Sequence, residues 1–319
     1  MLKKAASFVL ASLGPSTYRK TYDSGPRSLR PRWSAFLTIL LYCFFAVSSL
    51  PAAEKMEGQL SVKDVLVLPG QPARIEAVLT KRGLLGMSQG LGGEQLELVI
   101  GGKPVAKAMT GGDGRAFLDY TERFRGNHEI TVRLVANPRV ASPDATAVLG
   151  AWERRRPILL VELASLMEPG KSSPLPVPSM PIPLSGEEDP PPAPDAAVEL
   201  SRLTQFFYNV IYVSWSPGDG GNSIGGNQED AREWLARHKF PRGLAMIVKP
   251  GNKALGAKID QLRADGWKNV KAGIGRSQAF AEVLVEHRMD VVIVPEPERG
   301  ELPKKAKTVK EWKEVRKKL

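Results

Sequence analysis

Ile158-Leu159-Leu160-Val161-Glu162-Leu163-Ala164-Ser165-Leu166-Met167 is the stretch that decides how this chain folds. Four apolar residues run without a break into a carboxylate. A short apolar run of this kind suits a strand covered on both faces of a parallel sheet, because such a strand has no solvent side to mark with alternate polar residues. A carboxylate at its carboxyl end lies where open α/β sheets place their ligands. Downstream, apolar runs alternate with segments of helical period. The pattern predicts helices over 197–206, 228–238, 254–264 and 278–288, and strands over 209–214, 244–248, 270–274 and 290–294. Five short strands separated by helices predict an α/β domain, a three-layer parallel sheet over 157–319 with Ile158 to Glu162 as its first and central strand. Asn227 is the expected N-cap of the second helix, and Thr308 with Glu311 reads as a capping box for a last helix.

Upstream of that strand, 58–152 reads as all-β. Runs rich in Val, Leu and Ile recur with turn residues between them, at 60–68, 73–79, 96–100, 105–109, 116–120, 129–134 and 145–149. Strands at this spacing predict a sandwich. Thr110-Gly111-Gly112-Asp113-Gly114-Arg115 is an expected hairpin, since Asp-Gly accepts the positive φ of a tight turn. Arg125-Gly126-Asn127-His128 marks the next turn. The segment 152–157, which carries Glu-Arg-Arg-Arg-Pro, reads as a solvated hinge between the two modules, or as a phosphate or lipid patch. The pattern of 58–152 resembles bacterial immunoglobulin-like domains, with a Gly-rich turn before one strand and a later Gly turn before an Ile-Thr-Val strand. No antibody-type Cys pair or core Trp accompanies it.

The net charge of +11 is concentrated at the ends. Residues 1–33 hold seven Lys/Arg against one Asp, and 304–319 hold eight Lys/Arg against two Glu, which leaves the middle of the chain near neutral. A nucleic-acid binder would carry its basic stripe on the folded body, so no nucleic-acid partner is expected. Residues 1–33 are polar and basic and predict no fold. Residues 34–53 carry no charge, and 35–47 are almost wholly apolar, which describes a secretory signal or a signal anchor. Either reading places the rest of the chain across the cytoplasmic membrane, periplasmic or otherwise extracytoplasmic. Cys43 is the single cysteine, and His128, His238 and His287 lie far apart, so neither a disulfide nor a metal cluster is expected. The loop 169–197 is proline-dense and should be extended at the ligand-facing edge of the sheet. Gly218-Asp219-Gly220-Gly221 lacks the Gly-Lys-Ser/Thr ending of a nucleotide loop, and no cofactor is expected.

The order of elements in 157–297 resembles the Rossmann-like haloacid dehalogenase superfamily, most nearly the branch that holds the lipin-type phosphatidate phosphatases. That resemblance implies an aspartate nucleophile, a second aspartate as acid/base, a phosphate-binding Ser or Thr, a lysine, and a magnesium-binding acid. On this chain the nucleophile position is Glu162, the acid/base position Ala164 and the third position Leu166. Ser214 ends the second strand, Lys258 matches the lysine, and Arg276 stands at the magnesium position. A metal-dependent phosphatase is therefore not expected. Glu162 is one methylene longer than aspartate, which moves its oxygen by about an ångström. Ala164 can move no proton, and Arg276 opposes a cation. What the pattern retains is the makings of an anion site, Ser214, Lys258 and Arg276 with the amides of the glycine loop, metal-free. The expectation is an exported, non-catalytic module that binds an unknown protein or phosphorylated ligand. A divergent phosphatase using Glu162 and a structural envelope protein are the alternatives. The basic C-terminal helix, with Trp312, Val315 and Leu319 on one face, either packs on the sheet or lies on an anionic membrane.

Overall fold

The computed structural model describes residues 55–83, 87–168, 190–216, 228–249, 251–297 and 302–319. The expected signal segment, residues 169–189 of the proline-rich loop, the glycine-rich loop and the Asn227 cap lie outside the described residues. Within these, no helix is long and apolar enough to cross a membrane.

The first module begins with Met56–Val62 (β1), Val65–Val67 (β2), Pro72–Arg82 (β3), Ser88–Gly90 (β4) and Gln95–Ile100 (β5). It continues with Lys103–Met109 (β6), Arg115–Thr121 (β7), Gly126–Leu134 (β8), Val140–Ala141 (β9) and Ala145–Ala151 (β10). One sheet runs β4-β3-β1-β9 with β7 also on β3, and the facing sheet runs β2-β10-β8-β5-β6. This is the division of an immunoglobulin-like sandwich, strands A, B and E opposite C′, C, F and G. Alternate residues point inward: Ile75, Ala77 and Leu79 from β3 meet Leu96, Leu98, Ile130 and Val132 from the other sheet, all fully buried.

Two expectations for this module change. The single strand expected over 60–68 breaks at Lys63-Asp64, so that β1 pairs with β3 while β2 crosses to lie parallel to β10. The turn at 110–115 does not close a hairpin, because β6 pairs with β5 and β7 pairs with β3. It carries the chain from one sheet to the other, closed by the Gly111 N–H donating to Arg115 O and the Gly114 N–H to Gly111 O, each 2.8 Å. The tight hairpin joins β5 to β6 through Gly101-Gly102, at φ of 57° and 77°. Two successive positive φ values match the strand twist, and glycine adopts them at little cost.

The second module comprises Ile158–Glu162 (β11), a 3-10 turn at Leu163–Leu166, Ala196–Phe206 (α1), Asn209–Trp215 (β12), Gln228–Arg237 (α2) and Leu244–Val248 (β13). There follow Asn252–Ala264 (α3), Val270–Gly275 (β14), Gln278–Glu286 (α4), Asp290–Ile293 (β15), Lys307–Thr308 (β16) and Trp312–Lys318 (α5). The six strands are parallel in the order β13-β12-β11-β14-β15-β16. This is a doubly wound order whose reversal lies beside β11. Leu159 and Val161 face the layer of α1, α2 and α5, and Ile158 and Leu160 face α3 and α4. All five β11 residues are buried, as the unbroken apolar run predicts. The sixth strand, β16, adds an edge that the pattern does not anticipate.

Helix α4 lies close against β14. A Cβ at Gly273 would stand 2.1 Å from Leu284 Cδ2 and 3.2 Å from Leu160 O, so only glycine fits without movement. Gly273→Ala should therefore lower stability by about 1–3 kcal/mol, the usual range for overpacking. An unchanged denaturation midpoint would show that the helix stands further off than described.

The segment 152–157 is not a free hinge. Trp152 is buried and meets Trp267 edge-on at 6.5 Å, and its indole donates to Asn127 Oδ1 at 2.7 Å. Val148 and Trp152 of the first module share a core cluster with Ile158, Leu244 and Leu284 of the second. Both modules belong to one compact unit, Lys55–Leu319. At the C-terminus, Trp312 and Val315 are buried in the α1 layer, and the Trp312 indole donates to Ser165 O at 3.0 Å. The apolar stripe of α5 is thus used internally. The capping box does not form: Thr308 belongs to β16 and its hydroxyl donates to Glu296 at 3.2 Å, while Glu311 caps with no side-chain bond.

Candidate functional site at the carboxyl edge of the sheet

Three neighbouring elements converge where the sheet reverses. β11 ends in Glu162, β12 ends in Trp215, and β14 runs through Gly275 into Arg276-Ser277, the start of α4. Ser277 caps α4, accepting from the Phe280 N–H at 3.2 Å. The first amides of the turn therefore point at the end of β11, a geometry that binds anions.

The anion there is the protein's own. Glu162 Oε2 accepts from the Arg276 N–H at 2.6 Å and the Ser277 N–H at 2.8 Å. Its Oε1 accepts from the Ser277 hydroxyl at 2.5 Å and the Trp215 indole N–H at 2.7 Å. Glu162 is 1% exposed. Each carboxylate oxygen offers about two lone-pair positions, so these four donors fill the group. A carboxylate in this state has no lone pair left for in-line attack on phosphorus, and the amides that would hold a phosphate are already bonded.

The remaining expected positions are spread out. Ala164 is exposed in the 3-10 turn, Leu166 is fully buried in the core, and Ser165 donates to Glu162 O at 2.7 Å. Ser214 is buried on β12 beside Trp215. Arg276 contributes its backbone amide, and its side chain is half-buried. Lys258 stands apart, in the middle of α3, where its Nζ donates to Gln261 Oε1 at 3.3 Å. It lines a cleft of about 650 Å³ between the modules with Ser61, Asp64, Glu76, Arg232 and Gln261. The three expected anion ligands thus do not form one pocket among the described residues. Trp215 and Ser277 complete the site instead, and only a helix-cap pattern at Ile274-Gly275-Arg276-Ser277 hints at either.

A second polar cluster, also unmarked by any motif, closes the joint between modules. Asp64 Oδ1 accepts from the Val148 N–H at 2.8 Å and from Arg232, and Oδ2 accepts from the Ala245 N–H at 2.6 Å. Arg232 also donates to Thr146 O at 2.6 Å. Burial pushes the Asp64 carboxyl above its ordinary value, against the Arg232 charge and the two amide donors, which pull it down. Ala245 lies on β13, the open edge of the sheet, so Asp64 also blunts that edge. Among the described residues no three His, Cys, Asp or Glu side chains are grouped as a metal site.

No protein family and no curated protein matches the chain. Among solved structures, a CARDB domain from Pyrococcus furiosus aligns with 30% of this chain and 95% of its own, at 15% identity and a TM-score of 0.20. The D0-D1 domain of intimin aligns with 27% of this chain and 45% of its own, at 8% identity and a TM-score of 0.19. A sialyltransferase from Photobacterium damsela aligns with 75% of this chain and 43% of its own, at 8% identity and a TM-score of 0.20. The immunoglobulin-like assignment stands on the strand pairing above.

Proposed function

We propose that the chain is an exported, non-catalytic interaction protein, an immunoglobulin-like module welded to a haloacid dehalogenase-like domain whose reaction centre has been closed. The single observation that carries this reading is the saturation of Glu162 by four internal donors at the sheet reversal. The doubly wound strand order supports the kinship of the second module. The uncharged run 34–53 behind a basic segment supports export. Retained phosphate binding by Ser214, Lys258 and Arg276 gains no support, because Lys258 lies elsewhere and a buried carboxylate repels a second anion.

The full chain, assayed with p-nitrophenyl phosphate and magnesium, is expected to show no turnover above that of Glu162→Gln. Metal-dependent turnover that disappears in Glu162→Gln would overturn the reading in favour of a divergent phosphatase.

A further inference from the structure

Large apolar side chains exposed on a folded domain mark contact surfaces when they cluster. Phe124, Phe206 and Phe207 are 76%, 67% and 57% exposed. Phe206 and Phe207 sit together, and a chain of contacts links their turn to the loop that carries Phe124. Phe124 precedes Arg125, whose Nε meets Glu153 Oε1 at 2.9 Å, and Glu153 Oε2 meets Arg155 Nε at 2.8 Å. The next residue, Arg156, donates to Thr204 O and Gln205 O, at the last turn of α1. That turn carries Phe206 and Phe207, whose rings lie 6.3 Å apart. Arg123 and Arg125 flank Phe124 in the chain, Arg154 and Arg155 lie on the linking segment, and all four are exposed. Arg154 is steadied by Asp265 O at 3.4 Å, and Asn269 donates to Arg154 O and Arg155 O at 2.8 and 3.0 Å. The surface is thus held by both modules.

We propose that this face is the docking surface for an acidic, aromatic-bearing segment of a partner protein. The inference rests on the reading of the chain as an interaction protein and names the surface used. Aromatic and arginine side chains are enriched in protein interfaces, and the named cations are all arginine; Arg125 and Arg155 share the one carboxylate of Glu153, which leaves a net positive charge for the carboxylates of a partner. The surrounding positive charge selects an acidic partner over a basic one.

The test is fluorescence anisotropy of a labelled glutamate–tyrosine copolymer titrated with the full chain. Saturable binding is expected, weakening as salt rises. Arg154→Glu with Arg155→Glu, and separately Phe206→Ser with Phe207→Ser, should each weaken it about tenfold or more. Lys317→Glu with Lys318→Glu, the same charge change on α5, should leave it unaltered. No saturable binding, or equal losses in the patch and α5 variants, would overturn the proposal. So would tighter binding to phosphatidylglycerol vesicles than to the copolymer, which would assign the face to a membrane. Phosphatase turnover would instead overturn the non-catalytic reading and leave this binding result standing.

Discussion

Glu162→Ala is expected to lower folding stability by about 3–5 kcal/mol, because four buried donors lose their acceptor together. The substitution leaves two backbone N–H groups, a hydroxyl and an indole N–H facing a void, where water reaches them poorly. Glu162→Gln keeps the volume but turns an amide NH₂ toward donors, so about 2 kcal/mol should go. The direction matters more than the size. A catalytic carboxylate is held in an unfavourable setting for the sake of reactivity, and neutralising it commonly stabilises the protein. A structural carboxylate behaves in the opposite way. Chemical denaturation of the full chain would decide, read as a lower midpoint at unchanged slope. A rise in midpoint for Glu162→Gln would return the residue to the reactive groups.

Asp64→Ala should cost a similar amount, about 3–5 kcal/mol, and should also uncouple the modules. It strips Arg232 of its counter-charge and leaves the Val148 and Ala245 amides without an acceptor. The unfolding transition, expected to be single in the parent because the modules share a core cluster, should broaden or split. Replacing both partners with apolar residues, Asp64→Leu with Arg232→Met, should recover much of the loss, because no buried charge is then left alone. A double variant as unstable as the single one would show that the amide contacts dominate. The pH dependence has a definite sign. Burial raises the carboxyl of the folded state above its unfolded value of 3.8, so the fold holds a proton more readily than the unfolded chain. This group's linkage term therefore favours the fold in acid and fades as pH rises through the folded-state value. Asp64→Asn removes that part of the acid-limb slope.

Much of the second module is legible in the residues alone. The strand predicted over 209–214 is β12 at Asn209–Trp215, and that over 244–248 coincides with β13. Buried parallel strands are continuous apolar runs and their crossover helices carry a helical period, so the two alternate visibly. β16 escapes because two residues, Lys307 and Thr308, carry no period. In the sandwich, strand positions are readable and partners are not. The Asp-Gly turn at 113–114 reports a local conformation, and nothing local states whether the strands on either side belong to one sheet. Trp152 and the arginines beside it read as hinge residues because the surface that buries the tryptophan, around Trp267, lies more than a hundred positions along the chain.

The amino-acid order by itself determines the run of β segments followed by alternating helices and strands, the covered status of β11 and the lack of paired aspartates at its end, since these depend on residue type and short-range spacing. The tertiary structure alone decides what surrounds Glu162. Its donors come from Trp215, 53 positions away, and from Arg276 and Ser277, 114 and 115 away. A carboxylate's chemistry is set by which groups occupy its lone pairs, and those groups become its neighbours only once β12 and β14 have paired on either side of β11.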